Sequence, residues 1–122
     1  MAQIKSYDTL SNVKDHIKKG RILSKGATLT IASGAITVTD SYHLVGGESG
    51  NADALVDING GSQAGQLLVI QNVASANITV THDAAKIVLA GAADYVLVEA
   101  VDTLTLIYDG AKWVEISRSD NS

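Results

Sequence analysis

Residues 103–118 read TLTLIYDGAKWVEISR, two runs of alternating apolar and polar residues joined at Asp109-Gly110. Leu104, Leu106 and Tyr108 recur every second residue in the first run; in the second, Trp113 is followed one step out of phase by Val114 and Ile116. A period of two is that of a strand, whose successive side chains point to opposite faces. The DGAK link supplies a turn in which glycine takes a positive φ at no steric cost. The stretch therefore predicts a hairpin closed by Tyr108, Asp109, Gly110 and Trp113. Trp113 is the single tryptophan of a chain without phenylalanine, so its use here points to structural closure.

Working back from the hairpin, the same period runs through 28–31, 35–39, 42–45, 54–58, 66–73, 77–82, 86–89 and 95–98. Ser33-Gly34, Gly46-Gly47, Gly50-Asn51 and Asn59-Gly60-Gly61 punctuate these runs as turns. Closely spaced short strands predict an all-β fold, a β-sandwich of jelly-roll type, over residues 27–122, with GGESGNADA as its tip loop. ITVT occurs at 36–39 and again at 78–81, a faint echo that suggests two similar β units.

Residues 1–26 read differently and are expected to form an N-terminal arm with a short amphipathic helix. Leu10, Val13 and Ile17 stand at i, i+3 and i+7, Ser6 or Asp8 is placed as a cap, and Gly20 as a stop. Three or four apolar side chains on about three turns do not hold a helix alone in water, so the arm needs a surface: its own domain, a sister subunit or a foreign partner. Six basic residues in this segment (Lys5, Lys14, Lys18, Lys19, Arg21 and Lys25) face two acidic ones (Asp8 and Asp15), a balance of +4. The other 96 residues hold three basic against eleven acidic groups, or −8. The partner-binding residues expected on the arm are Leu10, Val13 and Ile17 as an apolar stripe, with Lys14, Lys18, Lys19 and Arg21 steering it toward acidic surfaces.

The 122 residues suit one β domain plus an arm, and 46% hydrophobic content with 18% charge indicates an ordered chain. No apolar run approaches the roughly 20 residues of a membrane helix, and the first residues lack the pattern of a secretory signal, so a soluble protein without membrane insertion is expected. There is no cysteine, hence no disulfide framework and no thiolate metal site. The apolar residues are mostly small or β-branched, and so thin a core gains from the additional burial that self-association provides.

Catalytic signatures are weak. His16, His43 and His82 lack HEXXH-like spacing; Asp40 with His43, and His82 with Asp83, offer metal-ligand types at strand ends but read first as polar strand termini. No GxSxG elbow is present, and neither GGESGN nor NGGSQAG carries the Lys-Ser/Thr ending of a phosphate loop. HIKKGR lacks aromatic interleaving and precedes an acidic body, which disfavours nucleic acid. The residues predict no enzyme activity, no metal and no cofactor.

The segments ATLTIASGAITVTDSYHLV, DINGGSQAGQLLVIQN and DTLTLIYDGAKWVEISRSDN together resemble a β module of tailed-bacteriophage virion proteins, found in fibres, spikes and small head-associated proteins. The resemblance covers about residues 27–121 and implies a non-enzymatic homotrimer in the virion, made in the host cytoplasm. With one module and one arm, the expectation is a capsid decoration (cement) protein on the outer head surface, its arm crossing the major capsid protein or another virion protein. The alternative is a tail fibre or baseplate component, or a receptor-binding tip, whose loops around Gly46 to Asn51 and Asn59 to Gln63 face the cell.

Overall fold

Every expected run becomes a strand in the computed structural model, which describes residues 23–122; the expected helix and the partner-binding residues of the arm lie outside the described residues. In chain order the strands are β1 (Leu29–Thr30), β2 (Ala35–Thr37), β3 (Tyr42–Gly46), β4 (Asp53–Leu55), β5 (Asp57–Asn59), β6 (Leu67–Asn72), β7 (Ile78–Val80), β8 (Ile87–Val88), β9 (Tyr95–Leu97), β10 (Thr103–Tyr108) and β11 (Trp113–Ser119). The run expected at 54–58 divides into β4 and β5, because the N–H groups of Val56 and Asp57 both donate to Gly34 O, at 2.7 and 3.1 Å, and turn the chain from one sheet into another.

The strands form a six-stranded main sheet in the order β1-β3-β6-β10-β11-β8, a pair β2-β5 and a three-stranded sheet β4-β7-β9. From β3 the chain passes through β4 and β5 in the two smaller sheets and returns as β6, parallel to β3. Tyr42 pairs with Val69, Ala35 with Asp57 and Asp53 with Ile78, register separations of 27, 22 and 25 residues. The antiparallel strand pairs all involve β9 or β10: β9 pairs with β7, and β10 lies between β6 and β11.

This winding corrects the jelly-roll expectation. A jelly roll is built from antiparallel Greek keys, whereas β1/β3, β3/β6, β2/β5, β4/β7 and β8/β11 are all parallel. Parallel neighbours need a long crossover, and the segment between Gly46 and Leu67 supplies one by carrying β4 and β5 through the other sheets. The ITVT echo is corrected as well. Ile36 lies in β2 and Ile78 in β7, strands of different sheets with different partners, so the two copies are not equivalent units.

The sheets share one core. On the main sheet Val45, Leu68, Ile70, Leu104 and Leu106 point inward and are completely buried, alternating with half-buried outward residues; Ile36, Leu55, Ile58, Ile78 and Leu97 meet them from the smaller sheets. Each such Leu or Ile contributes about 1.5–3 kcal/mol by leaving water.

Because β3 and β6 are parallel, the main sheet has two distinct ends. One end receives the chain at Leu23 and carries the loop before β6 and the β10–β11 hairpin. The opposite end carries the Gly47–Asn51 loop after β3, the turn after β6 and residues 98–102 before β10.

Candidate functional site

The two motifs that stand out in the sequence, INGG and YDGAKW, meet at the end where the chain comes in. Trp113 is 1% exposed, its Nε1–H donates to Ile58 O at 3.2 Å, and its backbone N–H donates to Lys86 O at 2.9 Å, so it joins β11 to both β5 and β8. Tyr108 lies beside it with ring centroids 5.1 Å apart and planes tilted by 47°. On the other side of Tyr108 is Gly61: a Cβ there would stand 2.5 Å from the Tyr108 ring. Gly60 has φ +102°, and a Cβ there would lie 2.2 Å from Val38 O. Glycine is therefore required twice in INGG, once for conformation and once for the approach of Tyr108.

The rest of that loop is held by Gln66. Its Oε1 accepts from the N–H and hydroxyl of Ser62 at 2.8 and 3.1 Å, and its Nε2 donates to Gly60 O at 3.1 Å. Gly65 N–H donates to Tyr108 O and Tyr108 N–H to Gln66 O, both at 2.8 Å, tying loop to hairpin. In the hairpin turn Gly110 has φ +104°. Asp109 Oδ1 accepts from Ala111 N–H and Lys112 N–H at 2.9 Å each, and Lys112 Nζ lies 3.0 Å from Asp109 Oδ2. The Lys112 and Ala111 N–H groups, helped by the lysine ammonium, hold the Asp109 carboxyl at about 2. A small open cleft of about 250 Å³ remains above this closure, lined by polar groups of Asp57, Asn59, Lys86 and Lys112.

His43 and His82, the two histidines among the described residues, serve the backbone. His43 is completely buried; its Nε2 accepts from Thr39 N–H and Asp40 N–H, both at 3.1 Å, which leaves Nδ1 to donate to Ala27 O at 2.7 Å. The ring thereby fastens the incoming segment 24–27 to the turn before β3. Ser24 reinforces this fastening, its hydroxyl donating to Asp40 at 2.6 Å, and a Cβ at Gly26 would collide with the His43 ring. The Ser24 and Thr39 hydroxyls lower the Asp40 carboxyl below the usual carboxylate range. His82 Nδ1 accepts from Leu89 N–H at 3.0 Å. Asp40 with His43 and His82 with Asp83 thus do not form the candidate metal pairs: among the described residues no three His, Cys, Asp or Glu side chains gather as ligands.

The opposite end holds what sequence reading missed. Asp102 is completely buried and accepts from Val98 N–H at 2.9 Å, Asn121 N–H at 2.8 Å and Ser122 Oγ at 3.2 Å, tying the last described residues to the turn before β10. The Val98 N–H, then those of Asn121 and the Ser122 hydroxyl, lower its pKa against the opposing effect of burial. Nearby, Arg118 forms a two-pronged pair with Glu115 at 2.7 Å and lies 4.2 Å from the centre of the Tyr95 ring. Val73, Val98 and Val101 are exposed at this end, at 40%, 38% and 48%. Their signal in sequence was no more than valine next to a turn.

The two loops expected to face a cell together do not share an end: Gly47–Asn51 follows β3, whereas residues 60–66 precede β6, which runs parallel to it.

Residues 44–114, from within β3 to the second residue of β11, match the family of the phage depolymerase C-terminal beta sandwich domain. That is more than half of the chain. The chain belongs to this family. The matched region contains both INGG and the hairpin closure, the residues that hold β5, β8 and β11 together. Among curated proteins, no match to the sequence is found. The family makes the chain a phage virion β module of the tail-associated kind and favours the tail alternative over head decoration. Among the described residues no helix is long and apolar enough to cross a membrane.

Proposed function

We propose that the protein is a non-enzymatic tail component of a phage virion, a receptor-binding module that works as a homotrimer and adsorbs to the host surface through the end opposite its arm. The observation carrying this reading is the family match over residues 44–114. The geometry supports a division of labour. The end that receives the arm is occupied by the INGG loop and the hairpin, whose polar groups bond one another, and suits attachment to the rest of the particle. The opposite end combines the Gly47–Asn51 loop with exposed Val73, Val98 and Val101, an apolar surface rimmed by polar groups that suits a partner. The cement role on the capsid rests on size and layout alone, and no observation favours it.

The test is adsorption. The purified full chain should bind cells of the phage's host and compete with the phage for them, and a Val73→Asp/Val101→Asp variant should lose at least about tenfold in binding while keeping its fold. Binding to purified empty heads but not to cells would overturn the tail reading in favour of head decoration. Turnover of a host surface polysaccharide by the full chain alone would overturn the non-enzymatic part.

A further inference from the structure

Residues 46–53, 72–77, 97–102 and 119–122 meet at the end opposite the arm, and hydrogen bonds join them into one platform. Buried Asn72 is the centre. Its N–H donates to Asp102 O at 3.3 Å, and its Nδ2 donates to Leu97 O at 2.9 Å and Ala76 O at 2.8 Å, which seats the turn after β6 against the loop before β10. Asn121 Nδ2 donates to Val101 O at 2.8 Å and brings in the last segment. Val73 N–H donates to Val45 O at 3.0 Å, and its side chain lies so close over Gly46 that a Cβ there would stand 2.8 Å from Val73 Cγ1. Beside it, Asp53 Oδ2 accepts from Glu48 N–H at 3.1 Å and fixes the loop that carries Glu48. The exposed side chains of Val73, Val98 and Val101 therefore stand on bonded backbone.

Charge divides the two ends. The segments just named hold Glu48, Asp53, Glu99, Asp102 and Asp120, and no lysine, arginine or histidine. Asp102 is buried and bonded, whereas Glu48, Glu99 and Asp120 are exposed, and none of these three is in an ion pair among the described residues. The described lysines lie at the other end: Lys25 opposite Tyr42 where β3 begins, and Lys86 and Lys112 in the cleft beside the hairpin. Arg118 is matched by Glu115. A carboxylate rim around an apolar centre is complementary to a surface with basic groups around an apolar centre of its own. An anionic polysaccharide or a phosphate-bearing lipid would meet like charge there. The same segments contain no aromatic residue, so they offer no ring for a sugar to stack on.

We propose that the end opposite the arm binds a protein surface that presents lysine or arginine side chains around an apolar centre. Val73, Val98 and Val101 take the apolar centre, and Glu48, Glu99 and Asp120 take the basic groups. This rests on the reading of that end as the adsorbing one and adds the chemistry of its partner: a protein of the host surface, not its polysaccharide.

The probes are two short peptides with central leucines, one flanked by lysines and the other by glutamates. Added to the full chain, the lysine-flanked peptide should shift the amide resonances of Val73, Val98 and Val101 most, and the glutamate-flanked peptide should leave these three unmoved. Glu48→Gln with Glu99→Gln should weaken the lysine-flanked peptide about tenfold at low salt, the difference shrinking as salt is raised, with the melting temperature unchanged. Valines that move with neither peptide or equally with both, or a variant of undiminished affinity, would overturn the proposal. Host cells then separate it from the reading on which it rests. Protease treatment of the cells should abolish adsorption of the full chain, and periodate, which cleaves sugar rings, should spare it. Adsorption that survives protease and is lost to periodate would overturn the protein partner and keep the adsorbing role; no adsorption to untreated cells, with the lysine-flanked peptide still seated on the valines, would overturn the adsorbing role and keep the chemistry of the surface.

Discussion

Trp113 Nε1 donates to Ile58 O across 55 residues of sequence, at 3.2 Å and out of contact with water. β5 and β8 belong to different sheets, and Trp113 bridges them through Ile58 O and Lys86 O. Trp113→Phe removes the donor, leaves Ile58 O without it, and opens space beside Tyr108. The expected loss is about 2–3 kcal/mol of unfolding free energy. Urea unfolding followed by circular dichroism measures it, since the substitution removes the chain's single tryptophan as a fluorescent probe.

Three glycines separate conformation from space. Gly60 has φ +102° and meets backbone at 2.2 Å, Gly61 meets the Tyr108 ring at 2.5 Å without a positive φ, and Gly91 has φ +70° with open space around it. Alanine at Gly60 adds backbone strain to a clash with Val38 O that cannot be relieved by rotating a side chain, and should cost at least about 3 kcal/mol. Alanine at Gly61 displaces Tyr108 and should cost about 1–3 kcal/mol. Alanine at Gly91 meets only the conformational penalty, about 1–2 kcal/mol. Melting temperatures should fall in that order, Gly60→Ala most.

Period two was enough to find the strands, because a sheet with one buried face must alternate, and Leu104, Leu106 and Ile70 do so. Pairing was not legible: Tyr42 opposite Val69 depends on a crossover whose path leaves no local mark, and two copies of ITVT went to different sheets. INGG and YDGAKW were visible as motifs, but that Gly61 packs on Tyr108 and Ile58 O receives Trp113 requires the long-range register. Asp102 escaped notice altogether, since a carboxylate before a strand ordinarily faces water, and its burial depends on N–H groups from Val98 and Asn121 arriving together. His43 drew attention as a ligand type, yet its nitrogens are taken by the backbone.

Removing the His43 ring should release the segment that leads into β1. His43→Ala leaves Thr39 N–H and Asp40 N–H without their acceptor and Ala27 O without its donor, and opens a cavity against Gly26. A loss of about 3 kcal/mol is expected, concentrated at one edge of the sheet. Hydrogen exchange should show Gly26 and Ile31 amides, which bond Tyr42 O and Gly46 O, losing protection more than the amides of β10. Equal loss throughout would mean that the ring supports the core generally and not this segment.

Acid should weaken the fold through its carboxylates. Asp40, Asp102, Asp109 and Glu115 are all lowered in the folded protein, Asp109 from 3.8 to about 2. A carboxyl with a lower pKa in the folded than in the unfolded chain binds protons more readily when unfolded, so stability rises with pH across that interval. The contribution is complete above the unfolded values, 3.8 for aspartate and 4.5 for Glu115, and is lost as pH falls through the folded ones. Melting temperature should therefore be level from pH 7 to about 5 and decline steadily toward pH 2. Asp109→Asn removes the carboxyl lowered to about 2 while leaving an acceptor for the Ala111 and Lys112 N–H groups. Its chain should be less stable at pH 7 and show a shallower decline between pH 4 and about 2, the two curves converging at the acid end. Parallel curves would mean that Asp109 does not carry the acid sensitivity, and Asp102→Asn would then be the variant expected to flatten it.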